Sequence, residues 1–156
     1  MRRTDREVTD YNEMEEIIRS CQVCHMAMVD QGNPYSVTVN FGYERKEQQF
    51  ILFVHCATQG RKIDILKQNP KVFITMDHNH ELVKGNEACS YGWKYESIMA
   101  EGKVEFLASE AEKRSGLDAI MRQYEAHTVF TYPDRAVERV TVLRIALQKI
   151  TAKRRR

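Results

Sequence analysis

One run of residues concentrates the chemistry of this sequence: His55, Cys56, Ala57, Thr58, Gln59, Gly60, Arg61, Lys62, Ile63, Asp64, Ile65 and Leu66. An apolar strand leads into a turn of small residues, and a helix starts straight after it. The first turn of a helix exposes unsatisfied N–H groups and a partial positive charge. Two cations, Arg61 and Lys62, are electrostatically misplaced there unless an anion sits among them. Gly60 lets a ligand approach the backbone, Thr58 offers a hydroxyl, arginine a planar fork and lysine a point charge, a set suited to phosphate. The competing reading is that both cations point into solvent and Asp64 pairs with one of them. His55 closes the strand beside this turn. Imidazole is the side chain that changes charge near neutral pH, so His55 is the candidate catalytic residue, against the alternative that it only satisfies a backbone group.

Two other constellations are weaker. Cys21 and Cys24 form a CxxC pair followed by His25, but a structural zinc site needs four ligands and no second pair exists. The expectation is free thiols, with the pair straddling a helix end and a strand start and one thiol buried. His78 and His80 lie in a polar stretch, residues 77–84, that reads as a solvated loop. No metal is expected at either place.

These groups must be positioned by a chain of 156 residues, 42% hydrophobic and 29% charged, which fits one soluble domain over 1–156. Lys plus Arg is 24 against 22 Asp plus Glu, a net +2, which lacks the basic footprint of a nucleic-acid binder. Mean hydropathy is −0.56, and the longest apolar run, residues 50–54, falls far short of the roughly 18 residues of a membrane helix. No apolar segment follows the N-terminus as in a signal peptide. A cytoplasmic protein with neither nucleic acid nor membrane as partner is expected.

The elements follow from spacing. Asp10 and Glu13 make a capping-box pattern, and Met14, Ile17, Ile18 and Cys21 share one helix face. Residues 23–29 read as a short strand and residues 30–34 as a turn. Tyr35, Val37, Val39 and Phe41 alternate with Ser36, Thr38 and Asn40, a half-buried strand whose small polar face suits a flat polar ligand. Residues 42–48 read as a hairpin connection. Residues 50–55, apolar on both faces, predict a central strand, and residues 61–68 a helix stopped by Asn69 and Pro70. Residues 71–77 and 93–108 read as strands, the second interrupted by a bulge at Glu101-Gly102. Ser109 and Glu112 open a third helix with Leu117, Ile120, Met121 and Tyr124 on its apolar face. Residues 123–133 read as irregular, residues 137–150 as the last strand, and the basic end, residues 153–156, as a frayed tail. About six strands with hairpin-length links predict an antiparallel sheet closed into a barrel.

Five stretches carry a family resemblance. They are residues 2–8 (Arg2, Arg3, Thr4, Asp5, Arg6, Glu7, Val8), residues 34–43 from Pro34 to Tyr43, residues 55–66, Tyr95-Glu96-Ser97-Ile98 with Gly102-Lys103, and Ile150-Thr151-Ala152-Lys153. In this order they resemble the FMN-binding split-barrel superfamily that includes pyridoxamine 5′-phosphate oxidase, most closely its nitroimidazole-resistance (Nim) branch. The resemblance implies a mainly β fold: a six-stranded antiparallel split barrel with Greek-key character and flanking helices. It implies a homodimer with two FMN sites at the interface. Val37, Thr38, Val39 and Asn40 would lie along the isoalloxazine ring. His55, Cys56, Ala57, Thr58, Gly60, Arg61 and Lys62 would hold the phosphate and ribityl chain. Tyr95 and Ser97 would join the same cleft, often from the partner subunit.

Two departures stand out. Thr38 replaces a usual proline and Glu96 a frequent arginine, which bears on the substrate side more than on the FMN site. The function expected is an FMN-dependent oxidoreductase passing two electrons to a small planar acceptor such as a nitroaromatic, with NAD(P)H as the candidate donor. Two alternatives stay open. One is a haem- or flavin-binding protein without turnover, with His25, His55, His78 and His80 as candidate axial ligands. The other is a pyridoxamine-phosphate-oxidase-like oxidase, for which a second phosphate-binding cluster is lacking.

Overall fold

A computed structural model describes residues 2–156. After a 3-10 turn at Thr4–Arg6 come β1 (Glu7–Val8), α1 (Tyr11–Ser20), β2 (Cys24–Asp30), β3 (Asn33–Val39), β4 (Gly42–Lys46), β5 (Gln49–Ala57) and α2 (Arg61–Gln68). They are followed by β6 (Lys71–Val83), β7 (Gly92–Phe106), α3 (Glu110–Tyr124), α4 (Asp134–Glu138) and β8 (Val140–Arg155).

Every strand pair is antiparallel, and the sheet runs β3-β2-β6-β7-β8-β5-β4 with β1 added beside β8. β3 and β4 are the two ends of that order, yet only Asn40 and Phe41 join them. Two linking residues span about 10 Å at most, so the ends of the sheet must meet at this corner. The sheet curls into a barrel that stays open between β3 and β4. The mainly β split barrel with flanking helices expected from the sequence is therefore present. It has eight strands rather than six, and it is not closed.

The barrel is filled by alternation. Phe50, Leu52 and Val54 of β5, Ile74 and Met76 of β6, Ile98 of β7 and Ile145 of β8 point inward, where Met14, Ile17 and Ile18 of α1 meet them. Each such side chain contributes about 1.5–3 kcal/mol on burial. The opposite face of β5, Ile51 and Phe53, packs with Val142 against Ala119 and Ile120 of α3. That double burial is why residues 50–55 are apolar on both faces. α3 lies close because Gly42 and Gly116 carry no side chain: a Cβ on Gly42 would stand 2.1 Å from the Ala119 carbonyl oxygen, and one on Gly116 2.7 Å from Val142 Cγ1.

Several expectations are corrected. Residues 42–48 are not a connection: Gly42–Lys46 is β4, paired with β5, and only a tight turn separates them. The polar stretch 77–84 is not a loop, because β6 continues through His78 and His80 to Val83 against β7. Its polar residues stand at one end of the barrel, where strands need no apolar face. The basic end is not a frayed tail. β8 runs to Arg155, with Arg154 opposite Glu96 and Lys153 opposite Glu7. Both Cys21 and Cys24 are buried, rather than one. α1 is capped by Asp10, which accepts from the amides of Asn12 and Glu13, but Glu13 turns away to Arg154. The buried stripe of α3 is Gly116, Ala119 and Ile120, with Tyr124 exposed. The capping box of Ser109 and Glu112 forms as expected.

The interruption expected at Glu101-Gly102 falls on the neighbouring strand. Met99 pairs with Thr151 and Glu101 with Gln148, so β8 carries the extra residue, near Lys149 at φ 46°. A second bulge lies on β6, where His78 pairs with Glu96 and Glu81 with Lys94, with Asn79 at φ 61°.

Candidate functional site

Strand alternation decides what the turn after β5 presents. Cys56 follows the inward set of β5 and packs against the core, whereas His55 follows Ile51 and Phe53 to the other face and is exposed. The chain then leaves β5 through Thr58 and Gln59, both exposed. Gly60 at φ 129° sets the entry of α2, a backbone conformation glycine adopts at little cost. No side chain caps α2. Its first amides are left for another acceptor.

A cavity of about 190 Å³ opens at this helix start, lined by Tyr35, Val37, Cys56, Ala57, Gln59, Gly60, Arg61, Lys62 and Ile63. The structure thus brings β3 and the β5–α2 turn together, as two of the five resembling stretches require. Burial pushes the Cys56 thiol up, and the Lys62 ammonium partly offsets that. Arg61 is not free in solvent, and its partner is not Asp64. Its guanidinium donates from Nε to Asp30 Oδ2 at 2.9 Å, with NH2 2.8 Å from the same oxygen, and lies 4.5 Å over the Tyr35 ring. Asp30 and Tyr35 hold the fork flat at the mouth of the cavity.

The remaining expected residues are spread wider. Thr38 Oγ1 is 3.0 Å from His25 Nδ1 on the neighbouring strand. Asn40 donates to the Tyr124 hydroxyl at 3.1 Å, which itself donates to the Gln22 carbonyl at 2.7 Å, tying the barrel corner to the end of α3. Val39 is half-buried against the core. Thr58 and His55 do not line the cavity. Tyr95 and Ser97 line a different one, of about 380 Å³, on β6 and β7. Within one chain the two groups of residues do not share a cleft. Tyr35, Gln59, Ile63 and Asp30 were missed. Tyr35 was legible as the inward residue two before Val37, but Asp30 sits at a turn and carries no sequence signal for its arginine.

The outer face of β2 and β6 leaves apolar side chains uncovered. Val29 is 50% and Phe73 43% exposed. With Ala27, Pro34 and the stems of Lys71 and Lys103 they line a groove of about 630 Å³. Among the described residues, no group of three or more His, Cys, Asp or Glu is placed to hold a metal ion. No helix of the described residues is long and apolar enough to cross a membrane.

Fold and site together define a split barrel with an uncapped, cationic helix start beside its open seam. The sequence profile of the pyridoxamine 5′-phosphate oxidase family matches residues 10–154, so this chain belongs to that family. A solved structure of a candidate 5-nitroimidazole antibiotic resistance protein from Bacteroides thetaiotaomicron is 39% identical, superposes with a TM-score of 0.82, and covers 94% of this chain and 85% of that one. A FAD and heme binding protein from Mycobacterium smegmatis shares the fold at 16% identity and a TM-score of 0.80, covering 96% of this chain and 73% of that one. A flavocytochrome from Azotobacter vinelandii does so at 18% identity and a TM-score of 0.81, covering 100% and 72%. No curated protein sequence matches this chain.

Proposed function

We propose that this protein binds FMN and reduces a small planar acceptor, a nitroaromatic among the candidates. The observation that carries this reading is the cavity at the start of α2, where uncapped amides, Lys62 and the flat guanidinium of Arg61 converge within a chain of this family. The residues fit a phosphate dianion: amide donors, a fork and a point charge meet at one corner. At about 190 Å³ the cavity is smaller than the roughly 300 Å³ at which small-molecule pockets begin. It holds the tail of a nucleotide, and a ring attached to that tail must lie outside, along Val37, Thr38, Val39 and Asn40.

A homodimer completes this arrangement. Val29, Phe73 and the 630 Å³ groove offer an apolar face for a second copy, and Tyr95 and Ser97 stand on the same outer side of the sheet, positioned to be supplied from that copy. Bound flavin supplies two-electron chemistry that protein side chains lack. The chain's own part is to anchor the phosphate, to support the ring on β3 and to shield it from water. NAD(P)H is the proposed donor, and the cytoplasm the proposed location.

The test is the absorbance of the purified protein, alone and after FMN loading and desalting. A flavin band near 450 nm that is lost in Arg61→Ala/Lys62→Ala supports the reading. A colourless protein after loading overturns it. The fold neighbours named for heme binding support a second reading, in which exposed His25 or His55 ligates haem, and a Soret band in place of the flavin band would select it. His55→Ala separates roles: unchanged turnover with flavin bound makes His55 structural.

A further inference from the structure

Residues 125–133, between α3 and α4, form a strap with a bare apolar tip. Val129 is 93% exposed, where the next most exposed large hydrophobic side chain, Trp93, is 52%. Phe130 beside it is half-exposed. The Thr128 amide closes a turn on the Glu125 carbonyl at 3.2 Å, but among the described residues 129–132 make no backbone-to-backbone hydrogen bond. Few contacts hold this tip where it is, and burial of its side chains would be rewarded.

Both ends of the strap are pinned. At the near end the Tyr124 hydroxyl accepts from Asn40 at 3.1 Å and donates to the Gln22 carbonyl at 2.7 Å, and Gln123 Nε2 donates to the Cys21 carbonyl at 3.0 Å. At the far end Arg114 donates to the Tyr132 carbonyl at 2.7 Å and pairs with Asp134, and Val137 of α4 is buried. Asn40 also closes residues 37–40, the stretch along which the flavin ring is proposed to lie. That stretch is about 10 Å long. The five residues from Tyr124 to Val129 reach at most about 17 Å, enough to cover it. α3 packs on β5 and β8 and against Gly42 of β4, so the strap approaches from the β4 side of the open seam. The apolar face offered to a second copy lies on β2 and β6, across that seam.

We propose that residues 125–133 are a lid: with FMN bound, Val129 and Phe130 close over the ring on the Asn40 side and exclude water from it. The proposal rests on the flavin reading and adds to it the residues that shield the ring. Tyr124, tied through Asn40 to the strand that supports the ring, is the hinge, and the exposed tip is the open state.

Hydrogen exchange of the full chain, with and without saturating FMN, reads closure directly. Amides of residues 128–132 should exchange about tenfold slower with FMN, while the β4–β5 turn, residues 46–49, exchanges unchanged. Inorganic phosphate alone, which carries no ring, should leave the strap fast. Val129→Ser alters a side chain that makes almost no contact in the open state, so its thermal unfolding without FMN should match the parent's. With FMN it should restore fast exchange, and calorimetry should show FMN binding weakened about three- to tenfold, with Val129→Leu kept within about twofold. A retained flavin band with unchanged exchange overturns the lid and leaves the flavin reading standing. So does parental FMN affinity in Val129→Ser, slowing by phosphate alone, or a strap already slow without FMN because a second copy covers it. A protein that never acquires the flavin band overturns the flavin reading, and the lid with it.

Discussion

Arg154 of β8 and Glu96 of β7 stand opposite each other in the sheet and are joined side chain to side chain at one end of the barrel. Their exposures are only 13% and 14%, and Arg154 also donates to Glu13 Oε1 on α1 at 2.7 Å. Glu96 replaces a frequent arginine of the family pattern, and the geometry gives it a structural partner rather than a place in the α2 cavity. His78 Nε2 also comes within 3.0 Å of Glu96 Oε2, but off a hydrogen-bonding direction, so that nitrogen is buried without a partner.

Removing the arginine should therefore cost more than removing a surface cation. Arg154→Met leaves Glu96, 14% exposed, without its charge partner, while Glu13 at 44% exposure stays hydrated, and a loss of about 1.5–3 kcal/mol is expected. Glu96→Gln keeps a hydrogen-bond acceptor for Arg154 and should lose less. Urea denaturation measures both. A loss below about 1 kcal/mol for Arg154→Met would show that water screens the cluster as it screens a surface pair.

Gly42→Ala tests the seat of α3. The added methyl would meet the Ala119 carbonyl at 2.1 Å, a backbone atom that cannot swing aside. A loss of about 2–3 kcal/mol is expected, lowering Tm by roughly 5–10 °C for a chain of this size. Unchanged thermal unfolding would mean that α3 does not pack on β4 this closely.

Cys21 and Cys24 should be silent thiols. Burial pushes both from 9.0 up to about 12. The folded protein keeps these protons longer than the unfolded chain does, so their contribution to stability is intact below pH 9.0 and declines as pH rises from there toward 12. At pH 8 a thiol reagent should modify exposed Cys89 quickly and the buried pair only after unfolding. A Cys21→Ala/Cys24→Ala variant should show a flatter fall of Tm between pH 8.5 and 10.5, a range set by the approximately 9 at which the unfolded thiol titrates. Rapid labelling of three or four thiols in the native state would contradict this burial.

Asp30 holds the Arg61 guanidinium beside the cavity at the start of α2. The pair is partly exposed, with Arg61 at 60%, and such pairs contribute only about 0.2–1 kcal/mol. Asp30→Asn keeps a hydrogen-bond acceptor and removes a negative charge from beside the cavity. It should tighten FMN binding about two- to fivefold, read by flavin fluorescence quenching at low salt, with the gain shrinking as salt is added. Weaker binding would mean that the Asp30 charge is needed to aim the guanidinium.

Local rules made much of this protein legible before its shape was known. The limits of α2, between Gly60 and Asn69, follow from a residue that suits its entry and a proline that forbids its continuation. The box at Ser109 is a contact over three residues, and the double-faced apolar pattern of residues 50–55 records burial directly. The motif at residues 55–62 marked an uncapped, cationic helix start because misplaced charge is visible in one dimension. What failed involved partners far along the chain. β4 and the last turns of β6 are polar, so no apolar period announces them, and they are strands only because β5 and β7 lie beside them. The basic end reads as a tail until Glu96 and Glu13 are brought to it from 58 and 141 residues away. Asp30 meets Arg61, and His80 meets Asp77, through a turn and a bulge whose geometry composition does not encode. Periodicity and caps are properties of neighbours in sequence, and sequence alone determined them. Which charge meets which, and which face of a strand is left open to a ligand, is set by long-range pairing, and only the tertiary structure decided it.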